Sequence, residues 1–184
     1  FLAKLILKIV FLNKNKKLIN KKNTGNKPIL IIKMPQIKAI AVLNGEKCKG
    51  TINIKEGRNC LQFDINLTNL TPGLHGFHIH EAGNLEEGCS SCCAHFNPLN
   101  KQHGGPWEMD GKERHLGDLG NILADKNGNC ITTIKDRYLQ LRGYKYNIIG
   151  RSVVVHEDED DLGRGGNAES KKTGNAGARI GCGV

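Results

Sequence analysis

Seven histidines stand at positions 75, 78, 80, 95, 103, 115 and 156, and all but His156 fall between Leu74 and Leu116. Gly76-Phe77-His78-Ile79-His80 is the informative unit. On an extended strand, residues two apart share a face, so His78 and His80 point together while Phe77 and Ile79 point into a core. Two neutral imidazoles side by side chelate a transition metal. Taken alone, His-x-His fits two surface histidines equally well. The remaining histidines raise the metal reading. His95, His103, His115 and Asp118 lie on or beside a long polar loop, and three imidazoles with one carboxylate suit tetrahedral zinc. A bound ion would also hold such a loop in place. His156 ends a β-branched run and is free to approach His78 and His80 from another part of a sheet. His75 fits neither set and reads as a plain surface or turn histidine.

Such a cluster needs a rigid scaffold, and the pattern from Met34 onward has period two. Leu61, Phe63, Ile65 and Leu67 alternate with Gln62, Asp64, Asn66 and Thr68, which puts one face on a core and the other in water. Ile37, Ala39, Ala41 and Leu43 repeat the alternation, as do Ile52 with Ile54 and Leu139 with Leu141. Asn44-Gly45, Glu56-Gly57, Pro72-Gly73 and Asn127-Gly128 are turn signals between these runs. Short strands at this spacing predict an all-β sandwich or barrel. Two stretches, 81–114 and 157–178, break the rhythm, and loops this long inside a compact domain are usually functional. The acidic run from Glu157 to Asp161 reads by default as a solvated face.

The chain has 184 residues and a formal charge of +9, with 27 basic and 18 acidic residues. Nine of the lysines and none of the acids fall in residues 1–33, so the rest of the chain is neutral. A phosphate-binding groove is therefore a poor reading, and no nucleic-acid partner is expected. Residues 1–33 form a basic extension outside the expected fold, and Met34 reads as the start of the domain proper, 34–184. Lys4 and Lys8 lie one helical turn apart, but the apolar run is too short to span a bilayer. A targeting role for the extension is the alternative to a dispensable tail. The seven cysteines are an odd number, which favours a reducing, cytoplasmic compartment over a secreted disulfide framework. Cys48, Cys60 and Cys130 read as buried free thiols.

From about Gln36 to the last residue, the motifs resemble the copper/zinc superoxide dismutases. The resemblance is carried by Gly73-Leu74-His75-Gly76-Phe77-His78-Ile79-His80-Glu81, His95-Phe96-Asn97-Pro98 and His103-Gly104-Gly105-Pro106. Arg114-His115-Leu116-Gly117-Asp118 follows, then Gly150 to Glu157, Asp160 to Asn167 and Thr173 to Val184. It implies an eight-stranded Greek-key β-barrel, an immunoglobulin-like sandwich with long zinc and electrostatic loops. Copper would be held by His78, His80, His95 and His156, and zinc by His95, His103, His115 and Asp118, with His95 bridging the two. Asp160 matches the carboxylate that links a copper histidine to a zinc histidine. Arg179 matches the arginine beside copper, and Cys89 and Cys182 match the disulfide.

The implied reaction is dismutation of superoxide to dioxygen and hydrogen peroxide, with His95 passing a proton and Arg179 drawing in the anion. Lys172 and Glu169 fall in the expected electrostatic loop, with Lys172 as the steering lysine. The same resemblance implies a homodimer and loading by a copper chaperone; no membrane partner is expected of a chain whose apolar run is this short. Several features depart from the family. Cys92 and Cys93 stand near Cys89, where they could compete for Cys182 or for a metal. Trp107 to Glu113 lengthens the zinc loop, and Trp107 is expected to pack over it. Family members continue past the position of Val184, so an incomplete last strand is expected. The competing reading is a non-catalytic copper-binding or copper-chaperone relative of the same fold. A chaperone would be marked by a Met-x-Cys-x-x-Cys motif and a Cys-x-Cys pair, neither of which occurs in this sequence.

Overall fold

The structure, a computed structural model, describes residues 36–107 and 114–184. The extension at 1–33, Met34 and most of the lengthened zinc loop lie outside the described residues. Residues Ile37–Val184 form one compact unit.

Eight strands follow in order: β1 (Lys38–Asn44), β2 (Lys49–Glu56), β3 (Leu61–Thr68), β4 (Gly73–His80), β5 (Asp118–Ala124), β6 (Cys130–Asp136), β7 (Ser152–His156) and β8 (Arg179–Gly183). The alternating runs around Ala41, Ile52 and Phe63 became β1, β2 and β3. Along β3, Leu61, Phe63, Ile65 and Leu67 are buried while the polar residues between them are half-buried or exposed; β1 buries Ala41 and Leu43 but leaves Ile40 and Val42 exposed. Two antiparallel four-stranded sheets result, in the orders β1-β2-β3-β6 and β5-β4-β7-β8. β3 and β6 pair in one sheet while β4 and β5 pair in the other, which is the Greek-key connection. Phe63, Leu67 and Ile52 from the first sheet meet Phe77, Ile79 and Ile122 from the second in the core. Each such side chain, fully buried, contributes about 1.5–3 kcal/mol.

The turn signals hold. In the turn that carries the chain from β5 in one sheet to β6 in the other, Asp125 Oδ1 accepts the backbone N–H of Asn127 and of Asn129, and Gly128 takes φ 77°, a left-handed conformation that suits glycine. One predicted strand did not form. Leu139 and Leu141 are buried, but they sit in an irregular segment whose only ladder contact is the bridge Gln140–Asn147. Asp136 Oδ1 accepts the N–H of Tyr138 and of Leu139, so a side chain replaces the sheet as partner for that backbone.

Three features of the second sheet position the histidines. β4 is central, between β5 and β7. His78 pairs in register with Asp118, the first residue of β5, after a bulge following Gly76. A second irregularity at Val155/His156 re-aims His156 at the end of β7. The two long loops fold back over this edge, carrying a short 3-10 helix (Gly88–Cys92) and a short helix α1 (Ser170–Thr173).

Candidate metal centre

His78, His80, His95 and His156 are all buried, and each places a ring nitrogen within 4.8 Å of the others'. His80 Nε2 and His156 Nε2 are 3.3 Å apart. The opposite nitrogens are tied down. His80 Nδ1 donates to the Cys93 carbonyl at 2.9 Å, His156 Nδ1 to the Gly177 carbonyl at 3.2 Å, and His78 Nε2 to Asp160 Oδ2 at 2.8 Å. Each of these bonds fixes a tautomer and leaves the inward nitrogen with a free lone pair. Accordingly His78 Nδ1 and His95 Nε2 are buried with no protein partner. A buried polar atom without a partner is unfavourable unless something else satisfies it, and four imidazole nitrogens suit copper.

A second group surrounds Asp118. Its carboxylate lies 2.8 Å from His95 Nδ1, 3.0 Å from His103 Nδ1 and 3.2 Å from His115 Nδ1. His103 Nδ1 is also buried without a hydrogen-bond partner. Distance alone would group His78 with His95, His103 and Asp118. The facing atoms argue for His115 instead. His115 Nδ1 lies 3.5 Å from His95 Nδ1, whereas the outer nitrogen of His78 is already occupied by Asp160. Three imidazoles and a carboxylate fit zinc. His95 alone offers a nitrogen to each group, Nε2 to the first and Nδ1 to the second.

Asp160 joins the two groups from behind. Oδ2 accepts from His78 Nε2, and Oδ1 accepts from His103 Nε2 at 2.7 Å. Its backbone is clamped by both ends of the Asn121 amide, each bond being 2.8 Å. At Gly174, φ is 69° and any Cβ would collide with Asp160 Oδ1 and His103 Nε2. Only glycine lets the second long loop close over this carboxylate.

In the metal-free chain, burial lowers His78 to about 3, with the neighbouring His95 adding to it. Burial likewise lowers His80 to about 2 and His156 to about 4. Both are pushed further down by the positive charge of Arg179. His103 goes the other way. Burial opposes its charge, but the carboxylates of Asp118, 3.0 Å from Nδ1, and Asp160, 2.7 Å from Nε2, raise it to about 9. Burial also opposes ionisation of Asp118, yet its histidine partners hold it well below the ordinary carboxylate value. The first group is thus neutral and ready to ligate, while the second balances carboxylates against a cation.

Arg179 is half-buried at the start of β8. Its Nη1 donates to the Cys89 carbonyl at 2.8 Å and the Ser90 carbonyl at 3.3 Å, and Nη2 donates to the Cys93 carbonyl at 2.6 Å. That segment is bonded to β8 by the disulfide Cys89–Cys182. Lys172 and Glu169 are exposed at α1, with the Glu169 carboxylate accepting from Thr173 Oγ1. Trp107 lies against Gly105 and under the Arg164 guanidinium, at 4.8 Å, so it packs between the two long loops.

Two expectations are corrected. His75 is not a surface residue. It is buried, with Nδ1 on the His156 carbonyl and Nε2 on Thr71, each at 2.8 Å. It shares the strand parity of Phe77 and Ile79, the signal that placed it inside. Nor is the 157–161 run wholly solvated, since Asp160 is fully buried. Other residues escaped the sequence reading. Buried Arg114 donates to the Asp118 carbonyl and pairs with Asp136 at 2.5 Å, bracing the carboxylate strand. Asn121 and the Cys93 carbonyl hold site residues through contacts between distant segments, which no local spacing reveals.

Residues 48–184 match the family model for copper/zinc superoxide dismutase. The chain belongs to the copper/zinc superoxide dismutase family. It is 55% identical over 162 residues to a Cu-Zn superoxide dismutase of Paramecium bursaria Chlorella virus 1, covering 88% of this chain and 83% of that one. It is 49% identical over 158 residues to Cu-Zn superoxide dismutase 3 of Arabidopsis thaliana, covering 80% and 89%. A Cu-Zn superoxide dismutase of Onchocerca volvulus is 50% identical over 151 residues, covering 79% and 93%. As a member of this family the chain is a superoxide dismutase, with copper and zinc as its cofactors.

Proposed function

We propose that His78, His80, His95 and His156 hold the copper and that His95, His103, His115 and Asp118 hold the zinc. The observation that carries this division is His95, the one imidazole with a nitrogen in each group and its Nε2 buried without a partner. Asp160 keeps His78 and His103 oriented from behind and acts through them. Copper supplies the one-electron chemistry that turns two superoxide ions into dioxygen and hydrogen peroxide.

The chain's own residues do the rest. His95 Nε2, whenever it is not serving as a copper ligand, would carry the proton that goes to the product, while Nδ1 stays in the zinc group beside Asp118. Arg179 carries a permanent charge whose position is fixed by three carbonyls, so a small anion is drawn in and oriented without reorganisation of the arginine. Lys172 adds a longer-range attraction and Glu169 tempers it. His95→Ala should abolish superoxide consumption; normal activity in a variant that retains both metals would remove His95 from this role.

The assembly reading is a homodimer loaded by a copper chaperone. Half-exposed Ile149 and Val184, with Gly83 packed on Gly150 and Val184, supply an apolar patch for a second copy; sedimentation equilibrium at twice the chain mass would support it. Five cysteines without a disulfide favour a reducing, cytoplasmic setting. Trapping thiols in intact cells, with those five recovered oxidised, would argue against that setting.

A further inference from the structure

The cysteines around the disulfide have no part in the reaction above, and their spacing is specific. Cys89-Ser90-Ser91-Cys92 is a Cys-x-x-Cys sequence, and it forms the 3-10 helix Gly88–Cys92 almost entirely. In a 3-10 helix, residues three apart eclipse one another, and a rise of about 2.0 Å per residue separates their Cα atoms by about 6 Å. A disulfide accepts Cα separations of about 4.4–6.8 Å, and the existing Cys89–Cys182 bond spans 5.6 Å. Cys89 therefore has two partners within bonding span, one on β8 and one on its own helix. Cys92 is wholly buried and carries no disulfide. Its sulfur has one weak contact, with the Asn84 carbonyl at 3.7 Å. Cys93 lies past the helix end at φ 63° and exposed, so it leaves the eclipsed spacing.

We propose that Cys92 is a resolving thiol for the Cys89–Cys182 disulfide. The Cys92 thiolate attacks Cys89 Sγ, the Cys89–Cys92 bond forms, and the Cys89–Cys182 bond breaks. Cys182 leaves as a thiolate and takes up the proton that Cys92 released. One disulfide and the same number of thiols are present before and after, so no oxidant or reductant is consumed. The burial of Cys92 does not block its access to the attacked sulfur, which is on the same helix. The exchange frees β8 from the loop. It also changes the anchorage of Arg179, whose guanidinium rests on the Cys89, Ser90 and Cys93 carbonyls. The chain thus has a built-in isomerisation that couples its disulfide to its anion-binding arginine.

The experiment is a trapping time course on the full, metal-loaded, disulfide-bonded chain. N-ethylmaleimide is present throughout to cap any released Cys182, and the disulfides are mapped by mass spectrometry after proteolysis. The wild type and Cys93→Ser should accumulate a Cys89–Cys92 bond together with maleimide on Cys182. Cys92→Ser should begin with the Cys89–Cys182 bond intact, which reports its folding, and should not accumulate labelled Cys182. The proposal is overturned if Cys182 stays unlabelled in the wild type, if Cys92→Ser labels at the wild-type rate, or if the new bond maps to Cys89–Cys93.

Discussion

Replacing Asp160 with Asn tests the architecture behind both metal groups with a single change of one oxygen for one NH2. Asp160 is fully buried and accepts from two imidazole N–H groups, His78 at 2.8 Å and His103 at 2.7 Å. An asparagine has one acceptor oxygen, so it serves one histidine and turns an N–H donor on the other. The histidine that keeps its bond loses a charged acceptor, and charge-assisted bonds are roughly twice as strong as neutral ones. Losing a partner behind a ligating histidine lowers metal affinity about 10–100-fold, which is about 1.4–2.7 kcal/mol. Because one carboxylate serves a histidine of each group, copper and zinc affinity should both fall, and the copper change should not be secondary to zinc loss. Chelator competition, run for each metal with the other absent and then present, measures the two effects separately. If both affinities stay within about threefold of the wild type, the orienting role of Asp160 is wrong. If zinc affinity alone falls, Asp160 serves His103 and the bond to His78 carries no weight.

Arg179→Glu should lower superoxide consumption by roughly tenfold or more at low ionic strength while leaving metal content unchanged, and the deficit should shrink as salt is added; a salt-independent rate equal to the wild type would sink the steering argument. The metal-free chain should be least stable at the extremes of pH. His78, His80 and His156 titrate at about 3, 2 and 4 when folded and at 6.5 when not, so the unfolded chain binds more protons between those values and stability falls as pH drops below 6.5. His103, raised to about 9, stabilises fully below 6.5, and its contribution is lost as pH rises through 9. Thermal unfolding at pH 4.5, 6.5 and 9.5 should therefore give the highest midpoint at 6.5, and a flat profile would contradict the buried-histidine electrostatics.

Much of this fold is legible in the sequence because alternation is local. Leu61 to Leu67 spells out a half-buried strand residue by residue, and the hairpin turns carry their own signals. Leu139 and Leu141 show the limit of that reading. Two apolar residues in alternation are buried as expected, but the Leu139 N–H goes to the Asp136 side chain and Gln140 bonds Tyr146 and Ile148 in its own irregular segment, so no strand forms. At the site, residue types and the His-x-His spacing announce a metal, whereas the division of nitrogens between two groups does not exist in one dimension. It depends on a bulge after Gly76, on the irregularity at His156 and on loops that return from far along the chain. The burial of His75 has a long-range cause: it ties the Thr71 turn to the His156 carbonyl. Its parity with Phe77 and Ile79 was the better guide.

The most direct test of the central claim is to measure metal content and superoxide consumption on one sample of the full chain reconstituted with copper and zinc. The account predicts one copper and one zinc per chain and rapid consumption that disappears when copper alone is removed. A chain that binds both metals at these positions yet consumes superoxide no faster than buffer would contradict it.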